Sequence, residues 1–111
     1  MRIWAPGKNS WGPGLALSRA FGDKAARRYG LISTPEVSQI KLTSDEEFIV
    51  IGSDGLFDFF EDQDICRFVR KLLKDGKITR DQISNELVNE ARSKWPSDSD
   101  DISCIIIEAE M

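Results

Sequence analysis

A short apolar segment that runs into an acidic turn constrains the fold of this chain more than any other part of the sequence. Residues 48–51 are Phe, Ile, Val and Ile, and four consecutive large apolar residues predict a core strand covered on both faces. Asp54 and Gly55 follow within a few residues, and Asp58 comes four residues after Asp54. If residues 55–60 form a helical turn, the two carboxylates lie on the same side of it. An ordinary Asp-Gly turn is the alternative interpretation, since this dipeptide is among the commonest in turns.

A second apolar segment near the end of the chain repeats this arrangement in reverse. Residues 102–107 predict another core strand covered on both faces, and Asp100 and Asp101 precede it directly. If the two strands run antiparallel as neighbours, the turn at Asp54 and the loop at Asp100 meet at one end of the sheet. Gathering carboxylates in one place is unfavourable unless a cation neutralises them. The two acidic ends therefore predict a divalent metal site.

The residue types present narrow the choice of metal. The chain contains no histidine, the commonest ligand of transition metals, so oxygen ligands suited to magnesium, manganese or calcium are expected. A calcium-binding helix-loop-helix motif is the main competitor, because residues 98–100 imitate the first positions of its loop. That motif needs a third oxygen ligand where Ile102 stands and a glycine where Ser103 stands. The acidic loop precedes a strand instead.

Apolar periodicity predicts two helices after the acidic turn. The first is capped by Asp62 and ends at Gly76. The second begins with a capping box formed by Thr79 and Gln82, and Pro96 stops it. Because a short segment joins these helices, they are expected to pack as a pair against the sheet. Their apolar positions are Ile65, Phe68, Val69, Leu72 and Leu73 in the first helix, and Ile83, Leu87, Ala91 and Trp95 in the second.

Two further elements are predicted in the first half of the chain. Residues 15–23 indicate a short helical turn that ends at Gly22, with Leu17 and Phe21 available for the core. Residues 36–42 alternate between apolar and polar side chains, which predicts a strand with one wet face. A short polar connection then predicts an antiparallel hairpin with the first apolar strand.

Composition limits the class of protein. The 111 residues suit one domain or part of a larger one, and a hydrophobic content of 41% is enough for a core. The formal charge of −4 argues against nucleic acid as a partner. Two cysteines, Cys66 and Cys104, do not make a disulfide framework, which favours a reducing compartment. No apolar stretch approaches the roughly twenty residues of a membrane span, so a cytoplasmic or nuclear location without membrane contact is expected.

Three segments of the sequence, in this order and rough spacing, resemble the carboxy-terminal motifs of the metal-dependent protein phosphatase 2C family. They are residues 15–23, 53–58 and 100–106, and residues 30–37 also look like the family's segment between the first two. The resemblance implies an α+β fold, as part of a β-sandwich of two antiparallel sheets with helices packed outside. It also implies a site for two or more Mg²⁺ or Mn²⁺ ions. The implied activity is hydrolysis of phosphoserine or phosphothreonine by a metal-activated water, without a phospho-enzyme.

The family's functional residues are carried over only where the motifs match. The resemblance implies that Asp54 and Asp100 bind metal directly and that Asp58 helps to hold a weaker, additional ion. Asp101 is then expected to orient its neighbour rather than to bind metal. Phe57 stands where the family more often has tryptophan, a conservative change at a packing position. Structural support is assigned to two residues of the first motif, Arg19 and Asp23.

The amino-terminal half of the family's domain has no counterpart in this sequence. That half carries an Asp-Gly-His-Gly motif, a phosphate-binding arginine and the strands that complete both sheets. Residues 1–111 are therefore expected to be the carboxy-terminal portion of a single phosphatase 2C-like catalytic domain. The expected partners are a phosphoprotein substrate and the missing amino-terminal half. Negligible phosphatase activity is expected of this segment by itself, because half of the metal ligands and the phosphate clamp are absent.

A second hypothesis is a non-catalytic interaction or regulatory module that keeps the fold without the chemistry. A chain of this length is expected to expose a sheet edge or an apolar face where the missing half would pack. Such a surface favours self-association or strand exchange.

Overall fold

The computed structural model describes residues 14–109, and the chain divides into two compact units at residues 1–40 and 41–111. The helices and strands are α1 (Lys24–Arg27), β1 (Phe48–Gly52), α2 (Asp54–Phe57), α3 (Asp62–Asp75), α4 (Arg80–Lys94) and β2 (Cys104–Glu108). Within the described residues, no helix is both long enough and apolar enough to cross a bilayer.

The first unit contains one short helix, and it begins later than the sequence predicts. The prediction of a helical turn at residues 15–23 is wrong, because the helix α1 starts at Lys24. Gly22 (φ 81°) and Asp23 (φ 47°) both have positive φ, which a right-handed helix cannot contain. Leu17 and Phe21 were expected in the core but are 48% and 88% exposed.

Contacts of Arg19 join it to residues 32–36 in the first unit. Arg19 and Ile32 form an isolated parallel bridge. The Arg19 guanidinium lies 3.2 Å from a carboxylate oxygen of Glu36 and donates a hydrogen bond to the carbonyl of Thr34. This ion pair is consistent with the supporting role assigned to Arg19. Ala26 is the buried residue of α1.

The strand predicted at residues 36–42 does not form. The structure has no strand there, and Val37 and Ile40 are 86% and 77% exposed. The predicted hairpin with β1 is therefore also wrong. Alternation favours a strand only where the backbone pairs and the apolar face is covered, and neither condition holds for these residues.

The second unit is built on an antiparallel pair of strands. β1 and β2 pair in register from Phe48 opposite Glu108 to Gly52 opposite Cys104, which confirms that the two apolar segments are antiparallel neighbours. α4 packs against both β2 and α3, as expected for the helix pair. The buried residues of this core are Leu56, Phe60, Ile65, Val69, Ile83, Leu87 and Ala91.

The helix pair covers the hairpin on one face only. Val50 and Ile106 pack against the core. Their neighbours on the other face, Ile49, Ile51, Ile105 and Ile107, are between 36% and 61% exposed. The prediction that both strands are covered on both faces is therefore wrong for the described residues, which supply a helical layer on one side alone. We call these four side chains the isoleucine face.

Local signals set the ends of α3 and α4. Asp62 is the first residue of α3 and Glu61 occupies the N-cap, one residue earlier than predicted. Gly76 ends α3 in the left-handed region (φ 61°), as predicted. At the start of α4, the Thr79 N–H donates to the Gln82 side chain at 2.9 Å, which confirms the capping box.

Candidate metal centre

The acidic turn after β1 is helical. Ser53 has extended geometry (φ −76°, ψ 170°), and α2 begins at the next residue, Asp54. The Asp58 N–H donates to the Asp54 carbonyl at 2.8 Å, which closes one helical turn. This confirms the predicted i, i+4 relation, so the two carboxylates share one side of the turn. Both residues are exposed and accessible to an ion.

The loop before β2 lies against this turn. The Ser53 N–H donates to the Ser103 carbonyl at 3.0 Å, which extends the pairing of the strands by one step. The Ser53 hydroxyl donates to the Asp101 carbonyl at 3.2 Å and accepts the Ser103 N–H at 3.1 Å. The structure therefore brings the turn at Asp54 and the loop at Asp100 to the same end of the hairpin.

Gly55 makes this close approach possible. Gly55 is buried, and a Cβ atom at this position would collide with the carbonyl oxygen of Asp101. The absence of a side chain lets the two backbones touch. The alternative of an ordinary, isolated Asp-Gly turn does not describe this contact.

Trp95 holds the turn from the end of α4. Its indole N–H donates to the Gly55 carbonyl at 2.9 Å, and its ring lies against Phe59 with the centroids 4.5 Å apart. The sequence places Trp95 in the apolar row of α4, but periodicity carries no signal for a hydrogen bond to a turn 40 residues away. No pattern in the sequence predicts the bonds of the Ser53 hydroxyl either.

The carboxylate of Asp100 is oriented by its own loop. One of its oxygens, Oδ1, accepts the Asp101 N–H at 2.8 Å. The expectation that Asp101 orients its neighbour agrees with this bond, although the main chain of Asp101 provides it. Asp100 and Asp101 are both exposed.

The donor set suits a hard divalent ion but is incomplete. Among residues 14–109 there is no group of three or more acidic, cysteine or histidine side chains close enough to hold a metal. Magnesium is commonly held by one or two carboxylates and keeps several waters, so Asp54 and Asp100 fit as part of its ligands. The assignments of Asp54, Asp58 and Asp100 as ligands stay predictions.

Hydrogen bonds or burial shift the pKa of several side chains around the hairpin. Next to the opposite end of the hairpin, a hydrogen bond from Arg70 at 2.9 Å lowers the pKa of Glu47, and the same bond raises the pKa of Arg70. Hydrogen bonds from the hydroxyl and N–H of Thr43 lower the pKa of Glu46. In β2, burial raises the pKa of the Cys104 thiol.

Comparison with known proteins identifies the family. Residues 7–100 match the sequence profile described as Protein phosphatase 2C. The chain is 36% identical over 95 residues to Probable protein phosphatase 2C 61 of Arabidopsis thaliana, covering 86% of this chain and 27% of the relative. The chain belongs to the protein phosphatase 2C family. It is also 36% identical over 107 residues to Probable protein phosphatase 2C 75 of Oryza sativa subsp. japonica, covering 96% of this chain and 24% of the relative.

A solved member of the family has the same fold. The structure is that of serine-threonine phosphatase 2C from Toxoplasma gondii, matched with a TM-score of 0.69 and 24% identity over 86% of this chain and 30% of that one. The phosphatase 2C resemblance and the α+β fold class are confirmed. This chain spans about a quarter of the length of the two relatives it matches above.

Proposed function

We propose that this chain is the carboxy-terminal portion of a single catalytic domain of a metal-dependent protein serine/threonine phosphatase. In this proposal Asp54 and Asp100 bind Mg²⁺ or Mn²⁺ directly, and Asp58 contributes to a weaker, additional ion. The observation that carries the proposal is the contact between the turn at Asp54 and the loop at Asp100. Two exposed carboxylates at touching backbone turns form the start of an oxygen site for a hard cation.

The reaction follows from what such a site does. Divalent ions, when bound, lower the pKa of a coordinated water and offset the negative charge of the phosphoryl group. The backbone of this chain orients the two proposed ligands, Asp54 and Asp100. Asp54 leaves the hairpin through a short helical turn, and Asp100 is fixed by the N–H of Asp101. The protein need supply only carboxylates, because phosphoryl transfer depends mainly on positioning and charge.

The remaining ligands and the group that positions the phosphate lie in other parts of the proposed domain. The isoleucine face supports this view, because apolar side chains of this kind are usually covered in a complete domain. A phosphoprotein substrate and the amino-terminal half of the domain are the proposed partners, and nucleic acid and membranes are not. The cytoplasmic or nuclear location expected from the sequence stays a prediction. We expect negligible phosphatase activity from the 111 residues alone.

A non-catalytic interaction module is the second candidate function. The isoleucine face favours it, since an exposed apolar surface also suits self-association. The two candidates differ in metal binding, whereas both allow association through the isoleucine face. Mn²⁺ binding that depends on Asp54 and Asp100 favours the phosphatase fragment, and a stable oligomer in light scattering coupled to size-exclusion chromatography that binds no Mn²⁺ favours the module.

Titration of the 111-residue chain with Mn²⁺ tests the proposal. Paramagnetic Mn²⁺ broadens the NMR signals of nearby nuclei, so the amides of Ser53, Gly55 and Asp101 are expected to broaden first. Asp54→Asn and Asp100→Asn should each weaken this effect. Asp98→Asn removes the same charge from the same loop as Asp100→Asn and is the matched control, with broadening as in the unmodified chain.

Two results would overturn the proposal. One is that added Mn²⁺ causes no localised broadening that Mg²⁺ can reverse by competition. The other is equal broadening in the control and in both ligand variants, which would mean that Mn²⁺ binds to the acidic surface without the proposed ligands.

A further inference from the structure

The hydroxyl of Ser53 makes different bonds from those expected at its position. Ser53 precedes α2 with the extended geometry of an N-cap residue, and a serine there normally accepts an N–H from its own helix. The Ser53 side chain makes no such bond. It reaches across the hairpin instead, donating to the Asp101 carbonyl at 3.2 Å and accepting the Ser103 N–H at 3.1 Å. The hydroxyl proton and a lone pair are therefore both used to join the two turns.

These bonds continue to the Asp100 carboxylate. The Asp101 carbonyl is held by Ser53, and the Asp101 N–H donates to Oδ1 of Asp100 at 2.8 Å. Asp101 is thus fixed on one side by Ser53 and orients Asp100 on the other. Ser53 is also the residue directly before Asp54. Its side chain therefore links the backbone next to Asp54 with Asp101, the residue that orients Asp100.

The Gly55 contact limits the distance between the two turns, whereas the Ser53 hydroxyl sets a direction. The contact between Gly55 and the Asp101 carbonyl limits how closely the two turns approach. It has no directional preference, so it does not select a rotation of the peptide between Asp101 and Ile102, to which this carbonyl belongs. The hydrogen bond from Ser53 is directional and does select one.

We propose that Ser53 is a positioning residue of the metal site, whose hydroxyl fixes the direction of the Asp100 carboxylate relative to Asp54. The proposal rests on the proposed function, because it assumes that these two carboxylates bind the ion. Groups that hold a metal ligand in place typically change metal affinity by about 10–100-fold when they are removed. Ser53 is expected to act in this way without touching the ion.

The test measures the affinity of the full 111-residue chain for Mn²⁺ by calorimetric titration. Ser53→Ala is expected to weaken binding about tenfold or more, because Asp101, whose N–H orients Asp100, loses the bond that ties its carbonyl to the first turn. Ser53→Thr keeps the hydroxyl and should bind more like the unmodified chain than like Ser53→Ala. Ser97→Ala removes an exposed serine hydroxyl from the loop that leads to Asp100, and it should leave the affinity unchanged.

Electron paramagnetic resonance of bound Mn²⁺ provides a second readout that fold stability alone does not change. The spectrum of the Ser53→Ala complex is expected to differ from that of the unmodified chain, and the Ser53→Thr spectrum to resemble it. If Ser53→Ala does not fold, Ser53→Gly replaces it, since Gly is tolerated at an N-cap and lacks the hydroxyl.

The outcomes distinguish the proposed role of Ser53 from the proposed metal site on which it rests. If the unmodified chain binds Mn²⁺, Asp54→Asn abolishes binding, and Ser53→Ala binds as tightly as the unmodified chain, the role of Ser53 is refuted and the metal site stands. Equal losses in Ser53→Ala and Ser53→Thr also refute it, because the hydroxyl would then not matter. If the unmodified chain does not bind Mn²⁺, both proposals fall.

Discussion

Replacing Gly55 with alanine tests the central contact of this structure. The new Cβ would collide with the carbonyl oxygen of Asp101, and it would lie 3.2 Å from a side-chain carbon of Ile102. Both neighbours are parts of a loop tied to the hairpin, so the loop must shift. Gly55→Ala is therefore expected to separate the two acidic turns and to destabilise the fold.

The size of the effect follows from two opposing contributions. Inserting a methyl group into a tightly packed position costs about 1–3 kcal/mol. Gly55 lies inside the short helix α2, where alanine is favoured over glycine by up to about 1 kcal/mol. Taking about 2 kcal/mol for the insertion and about 1 kcal/mol for the helical preference, the expected net loss is about 1 kcal/mol. With a urea dependence of about 1–3 kcal/mol per molar for a small protein, the unfolding midpoint should fall by about 0.3–1 M.

Gly76→Ala is the matched control for this experiment. Gly76 has φ 61° and no atom within 4 Å of its potential Cβ, so alanine there strains only the backbone, by about 1–2 kcal/mol. Both variants should lower the urea midpoint, but only Gly55→Ala should also weaken Mn²⁺ binding. If Gly55→Ala keeps the midpoint and the Mn²⁺ affinity of the unmodified chain, Gly55 and the Asp101 carbonyl are not in contact.

Three further predictions concern the core, a thiol and an ion pair. Leu87 is fully buried, so Leu87→Ala should lower the free energy of unfolding by about 2–5 kcal/mol in urea melts, and a loss below this range would contradict its place in the core. Burial raises the pKa of Cys104, whereas Cys66 is exposed, so mass spectrometry should show iodoacetamide alkylating Cys66 first in the folded chain. Equal rates would count against that burial. The Arg70 hydrogen bond lowers the pKa of Glu47, so its stabilising contribution is present above the ordinary pKa of 4.5 and is lost as the pH falls through the lowered value. Glu47→Gln should therefore be less stable than the unmodified chain at neutral pH and approach it in acid, and a stability difference that does not vary with pH would refute the linkage.

Interactions within a few residues made the helices predictable. The apolar spacing in α3 and α4 places Val69 and Leu87 in the core, and both are fully buried. Gly76 and the Thr79 capping box mark helix ends as predicted. Prediction failed in the first unit because residues 15–23 carry no strong periodicity, and two successive positive φ angles at Gly22 and Asp23 are not visible in a short apolar pattern.

Local patterns could not predict whether the strands are covered on one face or on two. A continuous apolar run looks the same whether it is covered on one face or two. Ile51 and Ile105 are exposed because the helix pair covers only the face that contains Val50. The number of layers depends on which other segments pack against the strands, and this information is not contained in the strands themselves.

The sequence alone determined the family, the two helices and the presence of acids beside two apolar strands, because these depend on residue types at short spacings. Only the tertiary structure decided how the acids are brought together. Ser53 reaches Asp101 across 48 residues, and Trp95 reaches Gly55 across 40. Such bonds depend on the pairing of the strands and the packing of α4, since hydrogen-bond geometry between distant segments is set by the packing of the whole unit and not by local preference.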